Sequence, residues 1–196
     1  MGEIAQKALS LSVSGYIQGK DVSEHVHELS EILVMMTAEV EEKSFSLIAK
    51  YQPVASDLRI INSYMKIAYD FERYGRYAWD IAFLNPNMGL LGGCEGWMQQ
   101  FIQDMSEKVL LMVKISVDSL KCLDTELAKT VTKSEQEVDE MYMQCLSRLV
   151  KEAGVMNNCT ISSVLAVRYL ERIADHATYV AESVVYVSTG EKVSLR

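Results

Sequence analysis

Glu72-Arg73-Tyr74-Gly75-Arg76 and Glu171-Arg172-Ile173-Ala174-Asp175 stand 99 positions apart (171 against 72) in a chain of 196 residues. Upstream, Glu39-Val40-Glu41-Glu42 matches Glu137-Val138-Asp139-Glu140 at an offset of 98 (137 against 39). Two matches in the same order at nearly one spacing describe one structural unit used twice. An internal repeat sets the architecture before any local feature does. What recurs is a pattern of carboxylates at helical spacing, so the repeat also points to chemistry.

Around the repeated stretches the chain reads as six helices in two sets of three. The first helix spans about 4–18 and stops at Gly19. The second begins at Asp21, where Glu24 three residues on makes a capping-box pattern. It ends at Gln52-Pro53, because the residue before proline disfavours helical geometry. The third runs from Ser56 or Asp57 to Leu84, with a seam of Leu58, Ile61, Met65, Ala68, Glu72, Gly75, Trp79 and Ala82 at steps of three and four. Asn85-Pro86-Asn87 opens a joint that carries four of the ten glycines between 89 and 96. The second set then spans about 97–123, a helix that starts after Asp124 and runs to about Ala153, ended by Gly154, and a last helix from Asn157-Asn158 to Gly190. That last helix has its seam at Val164, Val167, Glu171, Ala174, Thr178, Ala181 and Val185. Short links between long helices imply antiparallel neighbours. The expected architecture is all-α: a three-helix bundle over 1–84, a linker at 85–96 and a second three-helix bundle over 97–196.

Composition bounds the function. Apolar residues make up 49% and charged residues 23%, the balance of an ordinary globular chain. Two prolines leave long runs free of helix breakers, and eleven methionines suit helix–helix packing. A net charge of -8 argues against nucleic acid as a partner and against binding anionic lipid by charge alone. No apolar run reaches membrane-spanning length and no secretory signal is visible, so a membrane would be met only through partners. The four cysteines (94, 122, 145 and 159) form no C-x-x-C pair. They are expected as free, structural thiols in a reduced cytoplasmic setting.

The carboxylates are the chemical signal. Glu171 lies on an otherwise apolar seam, where a charge is costly without compensation. Asp175 follows one turn later on nearly the same face. Glu135 and Asp139 form a second E-x-x-x-D pair on the preceding helix. Four carboxylates facing across a helical hairpin suit a hard cation: magnesium, manganese or iron, with zinc tolerated. The plain alternative is a solvated helix face in which Arg168 or Arg172 neutralises Glu171. In the first half Thr37 and Glu41 take the places of Glu135 and Asp139. Glu72 is kept, and Arg76 stands where Asp175 stands, so this site is degenerate and Arg76 is expected to supply the positive charge in place. Glu24-His25-Val26-His27 contains one E-x-x-H, which reads as surface decoration, and His176 points about 100° away from Asp175. The chain carries no phosphate loop, Rossmann glycines or nucleophile elbow.

Gln52-Pro53-Val54-Ala55-Ser56-Asp57-Leu58-Arg59 with Asp70-Phe71-Glu72-Arg73-Tyr74-Gly75 resembles the first repeat of PhoU proteins. Tyr169-Leu170-Glu171-Arg172-Ile173-Ala174-Asp175-His176-Ala177 with Val180-Ala181-Glu182 resembles the second. The likeness covers most of the chain in order and spacing. It implies two bundles related by a pseudo-two-fold and a non-enzymatic regulator of phosphate uptake. It further implies docking to the ATPase subunit of a phosphate ABC transporter, or to a phosphate-sensing histidine kinase, with repression when phosphate is plentiful. It implies a homodimer and bound metal, iron foremost with zinc, manganese or magnesium as alternatives, on Glu135, Asp139, Glu171 and Asp175. The first helix is short for such a protein. Two competing readings are a carboxylate-bridged metalloenzyme, against which the missing second E-x-x-H argues, and a dimerisation module with solvated acidic pairs.

Overall fold

In a computed structural model, which describes residues 1–89, 91–151 and 157–196, the helices follow one another as α1 (Gly2–Gln18), α2 (Ser23–Tyr51), α3 (Ala55–Met88), α4 (Gly96–Cys122), α5 (Thr125–Lys129), α6 (Val131–Lys151) and α7 (Asn158–Thr189). A 3-10 turn at Leu91–Gly93 lies in the joint. No strand occurs among the described residues. The expected stop at Ala153-Gly154 lies outside them.

Local chemistry explains most boundaries. Gly19 ends α1 at φ 69°, a left-handed conformation that glycine adopts without a Cβ penalty. Asp124 caps α5, its Oδ1 accepting from the N–H groups of Glu126 and Leu127 at 3.0 Å. Asn157 caps α7 in the same way, accepting from Thr160 N–H at 2.8 Å, and Gly190 closes α7 at φ 80°.

Three boundaries differ from expectation. Asp21 does not cap α2: its carboxylate accepts from the N–H and Oγ–H of Ser23, and Val22 holds the cap position. Val22 packs so closely on Gly15 that a Cβ there would lie 2.5 Å from Val22 Cγ2. α3 runs past Leu84 and through Pro86, because Asn85 is docked: its Nδ2 donates to the carbonyls of Gly15 and Tyr16 at 2.9 and 3.3 Å. That contact adds a second donor to two end-of-helix carbonyls of α1, which also accept from the N–H groups of Lys20 and Gly19. The single helix expected after Asp124 breaks at Thr130, whose Oγ1 donates to the Leu127 carbonyl at 2.6 Å.

α3 and α7 pack against each other at the centre. The seam expected on α7 is buried at Val167, Ala174, Thr178, Ala181 and Val185. On α3 the stripe is rotated. Leu58 is 43% exposed, while Ile67, Phe71, Tyr74, Ala78 and Ile81 are buried beside the expected Ala68, Gly75 and Ala82. The helix is enclosed on more than one side: Gly75 abuts Leu33 of α2, and the Tyr74 hydroxyl lies 3.1 Å from Ser116 Oγ of α4. A helix packed on several faces is apolar nearly all round in its middle.

The expectation of four free thiols is corrected. Cys94 and Cys159 form a disulfide with Cα atoms 5.6 Å apart, tying the joint to the first turn of α7. Their separation of 65 residues hides the pair from any short-motif reading. Cys122 is free and exposed; Cys145 is free and buried, which pushes its thiol up to about 11. No helix among the described residues is long and apolar enough to cross a membrane.

Candidate functional site

α6 and α7 lie side by side and frame an open groove of about 530 Å³. Glu135 and Asp139 line one wall, Glu171 and Asp175 the other, with Arg172 and Arg196 among them. The i, i+4 spacing on each helix puts both members of a pair on one face. Glu135 is only 4% exposed, whereas Asp139 is open to solvent. Burial raises the Glu135 pKa above the usual carboxylate range and the charge of Asp139 adds to this, while Arg196 opposes it. Glu171 is raised first by burial and then by Asp175, against the pull of Arg168 and Arg172.

The groove supplies its own cations. Arg168 donates to Glu171 at 2.7 Å and Arg172 to Asp175 at 3.0 Å. Arg196 reaches the other Asp175 oxygen at 2.8 Å and also bonds the Tyr179 hydroxyl, with its guanidinium over that ring. Arg196 arrives there because the segment after α7 folds back. Leu195 is buried, and its N–H donates to Glu182 at 2.9 Å. Sequence patterning did not single out Arg196, since no periodic signal marks a chain that returns on itself.

The expectation of iron or another metal is corrected by this arrangement. Among the described residues, no group of three or more His, Cys, Asp or Glu side chains is placed to hold a metal ion. The physical reason lies in the guanidinium groups, which already occupy carboxylate oxygens of Glu171 and Asp175 that a cation would need. These residues do not fit a resident metal, and the neutralisation by Arg168 foreseen as the plain alternative is what the geometry contains.

The first-half counterparts do not form a like groove. Thr37 is buried and its Oγ1 donates to the carbonyls of Leu33 and Ala68. Glu41 is exposed and Glu72 half-buried. Arg76 lies over the Trp79 ring; burial raises the Asp80 carboxyl pKa, and the Arg76 charge opposes that rise. His25 and His27 sit on the surface beside Glu28 and Glu31.

A buried pair escaped the motif reading. His176 Nδ1 lies 2.8 Å from Asp70 Oδ1, joining α7 to α3, with both residues buried. Burial raises the Asp70 pKa, and the His176 hydrogen bond opposes it. Under the offset of 99, Asp70 maps to Tyr169 and His176 maps to Tyr77. Tyr77 and Tyr169 stack with centroids 6.1 Å apart. One pseudo-symmetric contact is thus polar and its mate aromatic, a signal that the repeat carried once its offset was applied to single residues.

Known proteins bear on this geometry. The PhoU domain model matches residues 1–84 and 102–184. The chain is 32% identical over its whole length to the phosphate-specific transport system accessory protein PhoU homolog of Clostridium acetobutylicum, covering 90% of that protein. It is 31% identical to the Pseudomonas aeruginosa protein of the same description, over 98% of this chain and 81% of that one. The crystal structure of PhoU from Pseudomonas aeruginosa matches with a TM-score of 0.88 at 26% identity, over 97% of this chain and 93% of that one. That of the phosphate transport system regulatory protein PhoU from Streptococcus pneumoniae matches in fold, with a TM-score of 0.84 at 21% identity over 98% and 92%. With both copies of its repeat matched by one domain model and whole-length relatives above 30% identity, this chain belongs to the PhoU family, whose members are regulatory rather than catalytic.

Proposed function

We propose that this protein represses phosphate uptake by docking on the cytoplasmic side of a phosphate ABC transporter, through its ATPase subunit, and on a phosphate-sensing kinase when phosphate is plentiful. The observation that carries this reading is the family match over both halves. We further read the chain as one unit used twice, 1–84 and 97–196 about the linker 85–96, assembled as a homodimer. The docking face is the α6–α7 groove. Its carboxylates are ordered by Arg168, Arg172 and Arg196 rather than by a metal, and they present net negative charge to a basic partner surface. Affinity for the partner changes only as far as the partner's states differ in their contacts with that face.

The test is a pull-down from phosphate-replete cells with the full chain as bait. Recovery of the transporter ATPase subunit is expected, with loss on Asp139→Lys, an exposed charge reversal. Cells lacking the protein should take up phosphate without restraint. Unaltered uptake, together with recovery of no phosphate-transport protein, would overturn the reading.

A further inference from the structure

Two of the cations at the α6–α7 groove, Arg168 and Arg172, belong to α7 itself. Each reaches a carboxylate three residues further along its own helix, so both stay in place as long as α7 does. Arg196 is different. It is delivered by residues 191–196, which follow the cap of α7 at Gly190 and form neither helix nor strand. The Leu195 side chain is 8% exposed, and its N–H donates to Glu182 Oε1 at 2.9 Å. The Arg196 guanidinium donates to Asp175 Oδ1 at 2.8 Å and bonds the Tyr179 hydroxyl, with its centre 4.5 Å from the centroid of that ring. Asp175 does not depend on this contact, because its other oxygen keeps Arg172 at 3.0 Å. An exposed ion pair of this kind contributes little, and a segment with few buried contacts opens readily.

Arg196 leaves the groove short of positive charge. Five carboxylates line it (Glu135, Asp139, Glu140, Glu171 and Asp175) against two guanidinium groups, those of Arg172 and Arg196. Glu135 is only 4% exposed, yet its carboxylate makes no hydrogen bond or ion pair among the described residues. A carboxylate so enclosed is costly without a partner, and its open side faces the groove. We propose that residues 191–196 are a displaceable strap, and that the partner of this groove is a protein segment with an aliphatic residue directly before an arginine, which takes the places of Leu195 and Arg196. The strap shows what the site accepts: an apolar side chain buried beside a guanidinium that meets a carboxylate and a tyrosine ring together. A guanidinium bonds in its plane and stacks through its face at once, which an ammonium does not do. The unpaired Glu135, Asp139 and Glu140 favour further basic residues beside that arginine. With the strap closed, an incoming segment meets an occupied site, and its apparent affinity falls by the fraction of time the strap is open. The proposal rests on the reading of this groove as the docking face, while the chemistry of the occupant comes from the strap itself.

The probe is a fluorescein-labelled, amidated peptide with the order of residues 191–196, Glu-Lys-Val-Ser-Leu-Arg. Its binding is followed by anisotropy against the full chain and against the double variant Leu195→Ser, Arg196→Gln. The variant is expected to bind about tenfold more tightly, the factor for a strap closed about nine-tenths of the time. Peptides with citrulline or lysine in place of the arginine should bind the variant at least about tenfold less tightly, as loss of an anchor does. Adding the arginine peptide to the native chain should quicken hydrogen exchange at the Leu195 amide, which gives up its bond to Glu182. Arg196→Gln alone, which keeps Leu195 in place, should give a smaller gain in the same direction, and circular dichroism checks that both variants remain folded. Equal affinity of native and variant chains, including no binding to either, overturns the proposal. So does equal binding of the arginine peptide and either substituted one. The regulatory reading fails separately. It falls if a chain that binds the arginine peptide recovers no phosphate-transport protein, whereas equal recovery of the ATPase subunit by native and double-variant chains sinks the strap and leaves that reading standing.

Discussion

At the scale of residues, the acidic groove shows charges satisfied by neighbours. Glu135 and Glu171 have carboxyls raised by burial and by like charge. A raised folded-state pKa means that the native state holds protons more tightly than the unfolded state. The stability this contributes is present below the unfolded pKa and is lost as pH rises through the folded one. Urea denaturation across the range just above the ordinary glutamate value should therefore show stability falling with pH. In the double variant Glu135→Gln, Glu171→Gln that slope should flatten and stability at neutral pH should rise. Arg196→Ala removes a cation that opposes the Glu135 shift, so the Glu135 midpoint read by carboxyl NMR should move further up. Its cost in stability should be no more than about 1 kcal/mol, because the Arg196 side chain is well exposed. The Asp70–His176 pair is of another kind. Asp70→Ala or His176→Ala leaves one buried polar partner stranded, at about 3 kcal/mol each. Removing both leaves neither, so the double variant should cost well under the sum, and the coupling in a double-mutant cycle measures the difference.

At the scale of elements, what the sequence revealed and what it hid separate by the range of the interaction. Both ends of α7 were legible because Asn157 and Gly190 act on their own helix. The end of α3 was not, because Asn85 bonds carbonyls 69 and 70 residues away, and no local rule foresees helix continuing through Asn-Pro-Asn. The α2 start was missed for the same reason, as Val22 answers to Gly15 rather than to its own helix. The four groove carboxylates were legible as a set because i, i+4 spacing pairs them on two successive helices; the repeat itself marks only Asp139 and Glu171, opposite Glu41 and Glu72. Arg196, which decides their chemistry, was not, since its position depends on the buried Leu195 beside it. The Asn85 contact carries a prediction at this scale. Asn85→Ala removes a side-chain donor from two carbonyls of α1 that keep the N–H groups of Lys20 and Gly19, and should destabilise the chain by about 1 kcal/mol in denaturant titration. Hydrogen exchange should quicken first in the last turns of α1 and α3. Unchanged protection there would mean that Pro86 is carried by something other than this contact.

At the scale of the whole molecule, duplication raises the question of whether the copies unfold separately. The distribution of buried surface decides it. One hydrophobic cluster runs from Leu9 of α1 through Tyr74 and Ile81 of α3 to Met105 of α4 and Ile173 of α7. α3 of one set packs along α7 of the other. The Asp70–His176 pair, the Tyr77–Tyr169 stack and the Tyr16–Ser162 hydrogen bond all cross the same boundary. Parting the sets would expose apolar faces of both central helices and strand a buried carboxyl, so neither set has a core of its own to fall back on. Calorimetry should therefore show one transition, with van't Hoff and calorimetric enthalpies equal. The Cys94–Cys159 bridge closes a loop of 65 residues, which in the chain-entropy account is worth about 4 kcal/mol through the unfolded state. Reductant should lower the melting temperature while keeping a single transition, and Cys94→Ala with Cys159→Ala should melt at that lower temperature with or without reductant. Two resolved transitions after reduction would show instead that the bridge, and not the shared core, makes the molecule one unit.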